Sequence, residues 1–240
     1  MSKPYPIHER FHAFQGEGVH MGRSAFFIRT FGCPVHCPWC DSAGTWHKDW
    51  IPKEVDRLTS EFLRSEIDQE NPEFIVITGG EPTIHDLRDL VESLQPEYQV
   101  HLETSGSFDE PNSPSLFNWI TLSPKWEKLP TKKWLLAADE IKIIVESEES
   151  IPAWLGKIEE IIDNPVVFNH FMDTKQIWLH PEWSQRGNEQ ILKNISNTVK
   201  NLGGSFRAGY QLHKLYQVDG LDDRAKELTP LGGNPEKYGY

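Results

Sequence analysis

The stretch SAFFIRTFGCPVHCPWCDS, from Ser24 to Ser42, decides how this chain folds and what it carries. It opens with an apolar run typical of a β-strand and ends in a loop that holds all three cysteines of the chain. Three thiols are an odd number for disulfides and one too few for a tetrahedral thiolate site. The stretch therefore indicates a strand that leads into a metal-binding loop with one open coordination position.

Other strand-like runs follow along the chain, each ending in a turn and often followed by a helical pattern. Strands are expected at 24–31, 74–78, 98–103, 119–123, 140–145, 176–180 and 205–210. Helices are expected at 59–70, 84–94, 151–162 and 188–201. Strands that alternate with helices are typical of a parallel sheet, so the sequence predicts an α/β fold with mostly parallel strands. With no clear linker or repeat, residues 1–240 are expected to form a single domain.

Polar and unusual residues cluster just after these strands. They are TGGEP (78–82), ETSG (103–106), SPK (123–125), HPEW (180–183) and YQLHK (210–214), together with the cysteine loop. In barrel-like α/β folds the carboxyl ends of the strands share one face, and the active site lies there. The sequence therefore predicts a single site at that face.

The composition favours a small-molecule substrate and a cytoplasmic protein. The chain has 36 acidic and 24 basic side chains, and its formal net charge of −12 argues against a nucleic-acid partner. No apolar run approaches the roughly 20 residues of a membrane span, and the N-terminus lacks the apolar core of a signal peptide. In the reducing cytoplasm, clustered cysteines indicate metal binding or catalysis more often than disulfides. We therefore expect no membrane partner.

Two kinds of metal site are compatible with the cysteine loop. A structural zinc ion would take three sulfurs and one nitrogen, from His36 or a distant histidine. Such sites usually join two short ligand pairs, however, and this loop has no second pair. An iron–sulfur cube fits better, because three thiolates on one loop can hold three irons and leave the fourth open. Pro34 and Pro38 would stiffen that loop, and Trp39 would flank whatever binds the open iron.

The C-x3-C-x2-C spacing, with an aromatic residue before the last cysteine, resembles the signature of the radical S-adenosylmethionine (radical SAM) enzymes. TGGEP (78–82) is similar to the glycine-rich cofactor motif of that superfamily. The resemblance implies a partial (β/α) barrel of the radical SAM type, with the active site at the carboxyl ends of its strands. It also implies a 4Fe–4S cluster that chelates S-adenosylmethionine and, with one electron, yields a 5′-deoxyadenosyl radical.

One family of that superfamily, the 7-carboxy-7-deazaguanine synthases, resembles this chain nearly end to end. The matching pieces are QGEG (15–18), FFIRTFGCPVHCPWCDS (26–42), VITGGEPTIHDL (76–87), ETSG (103–106), ITLSPK (120–125), EIK (140–142) and QLHK (211–214). The resemblance implies conversion of 6-carboxy-5,6,7,8-tetrahydropterin to 7-carboxy-7-deazaguanine, with loss of ammonia, towards queuosine-type bases. Hydrogen abstraction at C6 would precede a ring contraction. Mg²⁺, an electron donor such as flavodoxin and a homodimer are implied as well.

The resemblance also assigns a ligand to each site residue. Cys33, Cys37 and Cys40 would hold the cluster. Residues against S-adenosylmethionine would be Trp39, Cys40, Asp41, Gly80, Glu81, Ser123, Pro124 and Lys125. Substrate contacts would be Phe14, Gln15, Gly16, Glu17, Arg29, Thr78 and His213. The first four of these would lie on a substrate loop within an N-terminal extension at 1–24, and Ser42 would ligate Mg²⁺.

The residue types suit these roles. Gly79 and Gly80 would let the backbone approach a ligand, and Glu81 would pair with the ammonium group of the cofactor. The planar guanidinium of Arg29 suits a carboxylate better than lysine would. Ser42 offers the hard oxygen that Mg²⁺ takes.

Taken alone, several of these residues have plainer interpretations. Glu17 is compatible with an ordinary turn, and Arg29 with a surface position on a strand. Ser123 and Lys125 are compatible with a Ser-Pro turn.

Three features depart from the family pattern. His180 stands before Pro181 where the family often has glutamine, and Ser42 stands where threonine is commoner. The chain also continues past Lys214, near which compact relatives end. This tail, at 215–240, is expected either to be a flexible end or to fold back on the domain.

Two other functions remain open from the sequence. An activating enzyme for a glycyl-radical enzyme would share the small size, the cysteine spacing and the GGEP motif. A zinc-bearing or cluster-bearing interaction module would not be an enzyme at all. QGEG and Arg29 favour the deazaguanine synthase over the activating enzyme, and three thiolates with an open fourth position argue against the interaction module.

Overall fold

The computed structural model describes residues 3–226, and the strands in that range form one sheet. The strands are β1 (Tyr5–Phe14), β2 (Ser24–Thr30), β3 (Asp56–Leu58), β4 (Phe74–Gly79), β5 (Gln99–Thr104), β6 (Trp119–Leu122), β7 (Glu140–Val145), β8 (Gln176–Pro181) and β9 (Phe206–Ala208). The helices are α1 (Ser60–Glu70), α2 (Arg88–Leu94), α3 (Lys132–Ala137), α4 (Ser150–Ile162), α5 (Pro165–Thr174), α6 (Glu189–Leu202) and α7 (Leu212–Tyr216). Among the helices so described, none is long and apolar enough to cross a membrane.

The sheet is parallel over most of its width. Its strand order is β3-β1-β2-β4-β5-β6-β7-β8-β9, and every neighbouring pair from β2 to β9 runs parallel. At one edge, β1 runs antiparallel to β2, and β3 runs antiparallel to β1. This arrangement confirms the predicted α/β partial barrel. Because the parallel strands all end on one side, their carboxyl ends can build a common site.

The two faces of the sheet are covered differently. Ile75 and Ile77 of β4 belong to the large core that the sheet shares with the helices. Alternate residues of a strand point to the opposite face, where a second apolar cluster lies. That cluster is small and consists of Phe11, Ala25, Phe27, Phe74 and Val76. Its small size leaves much of the second face to polar side chains.

Three of the four predicted helices agree with the structure at both ends to within one residue. The predictions at 59–70, 151–162 and 188–201 correspond to α1, α4 and α6. Local caps explain the agreement for α1, since the side chain of Thr59 accepts a hydrogen bond from the amide of Phe62.

The helix predicted at 84–94 was too long, because α2 begins only at Arg88. Pro82–Ile84 instead form a single 3₁₀ turn, and the amide of Leu87 donates to Asn112 Oδ1 at 2.9 Å. A helix is present in this range, but the proline-led turn delays its start.

Both ends of the chain hold more regular structure than predicted. The extension at 1–24 contains β1, whose alternation of apolar and polar residues was a usable strand signal. Away from the ends, the sequence pattern also failed to predict β3, α3 and α5. Of the tail at 215–240, the residues up to 226 pass through a 3₁₀ turn (Val218–Leu221) and return to β1. Residues 227–240 lie outside the described part of the chain.

Candidate active site

A cavity of about 210 Å³ opens where the parallel strands end. The predicted site residues that line it are Phe14, Gln15, Gly16, Glu17, Arg29, Cys33, Cys37, Trp39, Cys40, Asp41, Ser42, Thr78, Gly80, Glu81, Ser123, Lys125 and His213. Gly79, which was expected to let the backbone approach a ligand, also lines it, and the lining residues that were not predicted are Phe11, Phe27, Val35, Trp46, Glu103, Thr104, Ser105, Lys142, Ile144 and Gln211. Pro124, which was predicted, is buried beside the cavity and does not line it.

The loop after β1, residues 15–19, lines the cavity through Gln15, Gly16 and Glu17 and is called the floor loop below. It crosses the sheet from β1 to β7. Gln15 Nε2 donates to Glu103 Oε1 on β5 at 3.0 Å, and the amide of Val19 donates to Glu140 Oε2 on β7 at 2.9 Å. The floor loop therefore fills the space between strands that do not touch each other.

Two glycines fit the floor loop to its neighbours. Gly18 has a φ of +69°, and a Cβ there would lie 2.3 Å from Glu140 Oε1. A Cβ on Gly16 would lie 2.1 Å from His213 Nδ1 on α7, and Gly16 O accepts a hydrogen bond from the amide of Leu212 at 3.0 Å. Both glycines are therefore required by close contacts within the chain, and the first also by its backbone conformation.

A buried ion pair anchors the floor loop to β7. The Glu17 carboxylate contacts Lys142 Nζ and also accepts a hydrogen bond from Gln211 Nε2 at 2.7 Å. Burial acts to raise the pKa of Glu17, but the Lys142 ammonium outweighs it and holds that pKa well below its usual range. The same carboxylate raises the pKa of Lys142 against the effect of burial. Both groups are therefore charged at neutral pH.

A second carboxylate, Glu103, lines the cavity above the floor loop. One of its oxygens accepts from Gln15 Nε2 at 3.0 Å, and the other accepts from Thr78 Oγ1 at 3.3 Å. An ionised carboxylate has about four acceptor positions, so these two bonds leave capacity for a ligand that donates hydrogen bonds.

Arg29 projects from β2 and lines the cavity. Its Nε donates to Glu9 Oε1 at 2.6 Å, and its Nη1 lies 3.5 Å from Gly79 O. The second Glu9 oxygen accepts from the backbone amide of Lys226 at 2.6 Å. Arg29 is thus a cavity residue rather than a surface strand residue, and its guanidinium is oriented by a buried carboxylate.

The cysteine loop forms the rim of the cavity. Its His36 has a φ of +64° and stacks on Trp46 at 4.3 Å between ring centroids, while Trp46 Nε1 donates to Cys40 Sγ at 3.4 Å. Burial raises the pKa of Cys33 and Cys40, and raises that of Cys37 to about 12. Such thiols become thiolates readily only when a bound cation offsets the burial.

The donor set of the cysteine loop fits an iron–sulfur cluster. Soft sulfur donors are what iron–sulfur clusters bind, and in a cluster each thiolate ligates a different iron. Zinc would need several ligands around one ion. Within residues 3–226, no three His, Cys, Asp or Glu side chains are grouped to hold a single metal ion.

The turn after β4 supports the cysteine loop from behind. A Cβ on Gly80 would lie 2.4 Å from Gly32 O and 2.7 Å from Cys33 Cβ, and the amide of Glu81 donates to Gly32 O at 2.9 Å. The glycine expected to admit a ligand is therefore needed first for close packing of one loop on the other.

The Glu81 carboxylate links the turns after β4 and β5. It accepts hydrogen bonds from Thr83 Oγ1 at 2.8 Å, Thr104 Oγ1 at 2.6 Å and the amide of Ser105 at 2.8 Å. Only 1% of the residue is exposed. These contacts give Glu81 a role in organising the site, beside the predicted contact with the cofactor ammonium, which stays a prediction.

The SPK turn after β6 is held by its own lysine. Lys125 Nζ donates to Ser123 O at 2.7 Å and to Ser123 Oγ at 2.6 Å, and it lies 5.4 Å from the centre of a Trp39 ring. Burial lowers the pKa of Lys125, and the nearby Cys37 thiol opposes that shift. Lys125 therefore connects this turn to the cysteine loop.

The residues after the last cysteine connect to α7. Asp41 pairs with Lys214 Nζ at 2.9 Å, and that ammonium lies 5.0 Å from the centre of a Trp183 ring. The Lys214 side chain is only 3% exposed. Ser42 Oγ lies 3.8 Å from Cys40 Sγ, on the cavity wall. The QLHK segment thereby holds the end of the cysteine loop in place.

His180, at the end of β8, does not line the cavity. It is fully buried, neither ring nitrogen has a hydrogen-bond partner among residues 3–226, and burial lowers its pKa to about 4. A Cβ on Gly209 would lie 2.2 Å from His180 Nε2. The HPEW turn is thus the one predicted motif that the structure leaves outside the cavity.

Five polar side chains that line the cavity were not predicted as site residues, namely Glu103, Thr104, Ser105, Lys142 and Gln211, and neither was Glu9, which orients Arg29. All five lie inside the quoted motifs ETSG, EIK and QLHK, so their place in a segment that matches the family was an available signal. Glu9, which does not line the cavity, gave no such signal, because its partners are Arg29 on the neighbouring strand and the amide of Lys226, 217 positions away.

Comparisons with known proteins agree with this geometry. Residues 14–111 match the family described as 4Fe-4S single cluster domain. A 7-carboxy-7-deazaguanine synthase from Prochlorococcus marinus is 37% identical over 233 residues, which cover 89% of this chain and 98% of that protein. Another, from Synechocystis, is 44% identical over 146 residues, which cover 60% and 67%. The crystal structure of QueE from Escherichia coli, 30% identical, matches with a TM-score of 0.68 over 88% of this chain and 95% of that one. This chain belongs to the 7-carboxy-7-deazaguanine synthase family.

Proposed function

We propose that this protein converts 6-carboxy-5,6,7,8-tetrahydropterin to 7-carboxy-7-deazaguanine with loss of ammonia. As a family member it is a radical S-adenosylmethionine enzyme with a 4Fe–4S cluster, which sets aside the zinc module and the activating enzyme. The conversion balances as loss of one ammonia without net oxidation or reduction, so S-adenosylmethionine can be regenerated. The observation that carries the proposal is that one cavity is lined both by the cysteine loop and by charged side chains of both signs, namely Glu17, Arg29, Glu103 and Lys142.

The cysteine loop is the proposed cluster site. Cys33, Cys37 and Cys40 would ligate three irons and leave the fourth to S-adenosylmethionine. When bound, the cluster and S-adenosylmethionine supply a carbon radical that abstracts one hydrogen atom from the substrate. The protein holds the loop in shape through the Gly80 contact behind it and the Trp46 contact with Cys40.

The walls next to the cysteine loop are the proposed site for S-adenosylmethionine. They present Trp39, Asp41, Gly80, Glu81, Ser123 and Lys125, with Pro124 behind them. Lys125 and Asp41 both have partners within the chain, so the shape of this wall is set before the cofactor arrives. A preformed wall places the reactive carbon with little loss of entropy at the moment of reaction.

The floor loop and the strand ends are the proposed pterin site. Arg29 would bind the substrate carboxylate through its planar guanidinium. Glu103 would accept hydrogen bonds from the amino and ring N–H groups of the pterin, beside Gln15 and Thr78. His213 lies across the cavity against Gly16 of the floor loop.

Ser42 is the proposed protein ligand for Mg²⁺. Its hydroxyl lines the cavity beside the cysteine loop, and the ion commonly keeps several waters and takes few protein ligands. The ion would supply a positive charge that stabilises the negative charge of the substrate and helps to orient it.

We further propose a cytoplasmic homodimer that receives its electron from a donor such as flavodoxin. The cytoplasm suits a site of reduced cysteines, and the acidic balance of the chain is unsuited to nucleic acid. Sedimentation of the purified protein at several concentrations tests the dimer.

An anaerobic assay of the reconstituted protein tests the function. It contains S-adenosylmethionine, Mg²⁺, a reductant and 6-carboxytetrahydropterin, and chromatography with mass detection follows both the deazaguanine acid and 5′-deoxyadenosine. Wild-type protein is expected to form the acid, and Cys37→Ala neither compound. Arg29→Lys keeps the charge but loses the planar fork, so its kcat/KM should fall by about tenfold or more.

Each result separates one part of the proposal from the rest. Cleavage to 5′-deoxyadenosine without the acid, in the wild type, would assign the radical chemistry to another substrate. Equal kcat/KM for wild type and Arg29→Lys would remove Arg29 from the carboxylate site while leaving the reaction in place.

A further inference from the structure

Residues 222–226, called the returning segment below, dock along β1. Short β3 pairs only with Tyr5–Ile7, so the rest of that edge of β1 has no strand beside it within the described chain. Asp222 Oδ2 accepts a hydrogen bond from the amide of His12 at 2.9 Å, and Ala225 packs on the apolar cluster of the second face. The returning segment thereby occupies an edge that would otherwise stay open.

Ionic contacts hold the returning segment in place. Arg224 pairs with Glu70 of α1 at 2.6 Å and with Asp222 at 2.6 Å, and its guanidinium lies 5.3 Å from the centre of the Phe26 ring. Hydrogen bonding to Arg224 holds the pKa of Asp222 well below its usual range, so this carboxylate is charged at neutral pH. The segment is therefore attached to both α1 and β1.

The returning segment ends at the carboxylate that orients Arg29. Glu9 is 7% exposed, and each of its oxygens has a different partner: Arg29 Nε at 2.6 Å and the amide of Lys226 at 2.6 Å. A long arginine side chain loses substantial rotamer entropy when it is ordered. A charge-assisted hydrogen bond to Nε orders it before any ligand binds, and the Lys226 amide keeps the carboxylate from turning away.

We infer that Glu9 is a positioning residue for Arg29 and that the returning segment holds Glu9 in place. The inference rests on the proposed function, in which Arg29 binds the substrate carboxylate. Glu9 itself touches no substrate in this account. A substitution of Glu9 should therefore weaken the binding only of ligands that carry the carboxylate. A general loss of structure would weaken the binding of all ligands.

A pair of ligands that differ only in the carboxylate makes this effect measurable. Calorimetry on the reconstituted enzyme gives the dissociation constants of pterin-6-carboxylate and of pterin. For Glu9→Gln, the dissociation constant of pterin-6-carboxylate should rise about tenfold while that of pterin stays within about twofold. In turnover the same variant should raise KM and leave kcat nearly unchanged.

A second variant tests the part played by the returning segment. Asp222→Ala removes the hydrogen bond to the His12 amide and one of the two carboxylate partners of Arg224, at a position outside the cavity. It should weaken pterin-6-carboxylate binding in the same selective way, by about threefold, because it acts through one more contact. The matched control is Glu66→Gln, which breaks the ion pair of Arg10, the neighbour of Glu9 on β1. It should change neither dissociation constant.

The outcomes distinguish this inference from the proposed function. If wild-type protein binds neither pterin, the proposed function fails and the inference falls with it. If the wild type binds pterin-6-carboxylate and Glu9→Gln weakens both ligands equally, or neither, only the positioning role of Glu9 is overturned. If Glu9→Gln does not fold, Asp222→Ala decides, and unchanged binding in that variant overturns the inference.

Discussion

At the floor of the cavity the buried Glu17 carboxylate has Lys142 and Gln211 as partners, whereas at the rim burial raises the pKa of every thiol in the cysteine loop. The floor has its charges balanced within the chain, and it can keep its shape with no ligand bound. The rim presents soft donors whose charged form needs a cation. In the proposed function the floor is the substrate side and the rim carries the cluster, so the substrate side would be shaped in advance and the radical-generating side would be completed by its cofactor.

The largest effect on stability is expected at the floor. Lys142→Met removes the cation and leaves the Glu17 carboxylate buried without its charge partner, which should lower the free energy of unfolding by about 3–5 kcal/mol. The double variant Glu17→Gln/Lys142→Met has no buried charge at this place and should recover much of that loss. Urea unfolding of wild type and the variants measures both values, provided the m-values agree. A double variant no more stable than Lys142→Met would show that the ion pair is not what makes the single substitution costly.

The second-largest effect is expected at the rim, and it should change the iron content of the protein more than its free energy of unfolding. Gly80→Ala puts a Cβ 2.4 Å from Gly32 O, so the cysteine loop must shift. Overpacking of this kind costs about 1–3 kcal/mol, and a displaced loop should lower the iron content after reconstitution. The matched control is Gly156→Ala on α4, where an added Cβ meets nothing within 4 Å and helix propensity should improve. Full iron content in Gly80→Ala would mean that the two loops can separate without harm.

The rim could be predicted from sequence far better than the floor, and the reason is distance along the chain. The three cysteines and the TGGEP turn are contiguous motifs, so their chemistry is visible in a short window. The contact between Glu17 and Lys142 joins residues 125 positions apart, and the one between Glu9 and Lys226 joins residues 217 apart. Local pattern carries no information about such pairs.

In the fold, too, some elements could be predicted from sequence better than others. Apolar runs bounded by turns predicted the seven strands from β2 to β9, other than short β3, because each of them contributes apolar side chains to the core that the sheet shares with the helices. The path of the floor loop across the sheet follows from what it contacts at the far side, namely Glu140 and His213. Those contacts explain why QGEG requires glycine at positions 16 and 18. The composition of the segment alone predicts only a turn.

The floor ion pair also predicts a pH dependence. Because Lys142 depresses the folded-state pKa of Glu17, the carboxylate stabilises the fold above its unfolded pKa of about 4.3, and this contribution is lost as pH falls towards the lower folded value. The free-energy difference between wild type and the double variant should therefore be flat from pH 5 to pH 9 and fall by about 1 kcal/mol between pH 5 and pH 3.5. A difference that falls already near pH 6 would assign the change to another group.

The smallest effect on stability is expected for an ion pair that is exposed to solvent. Arg88 and Glu92 on α2 form an i, i+4 pair at 3.7 Å, with side chains 55% and 59% exposed. Water screens this pair, and its orientation, with the cation towards the N-terminus of the helix, is the less favourable one. Glu92→Gln should therefore change the free energy of unfolding by less than about 0.5 kcal/mol, and added salt should remove even that difference. A loss near that of Lys142→Met would contradict the view that burial, rather than pairing as such, makes the loss of one partner of the floor ion pair costly.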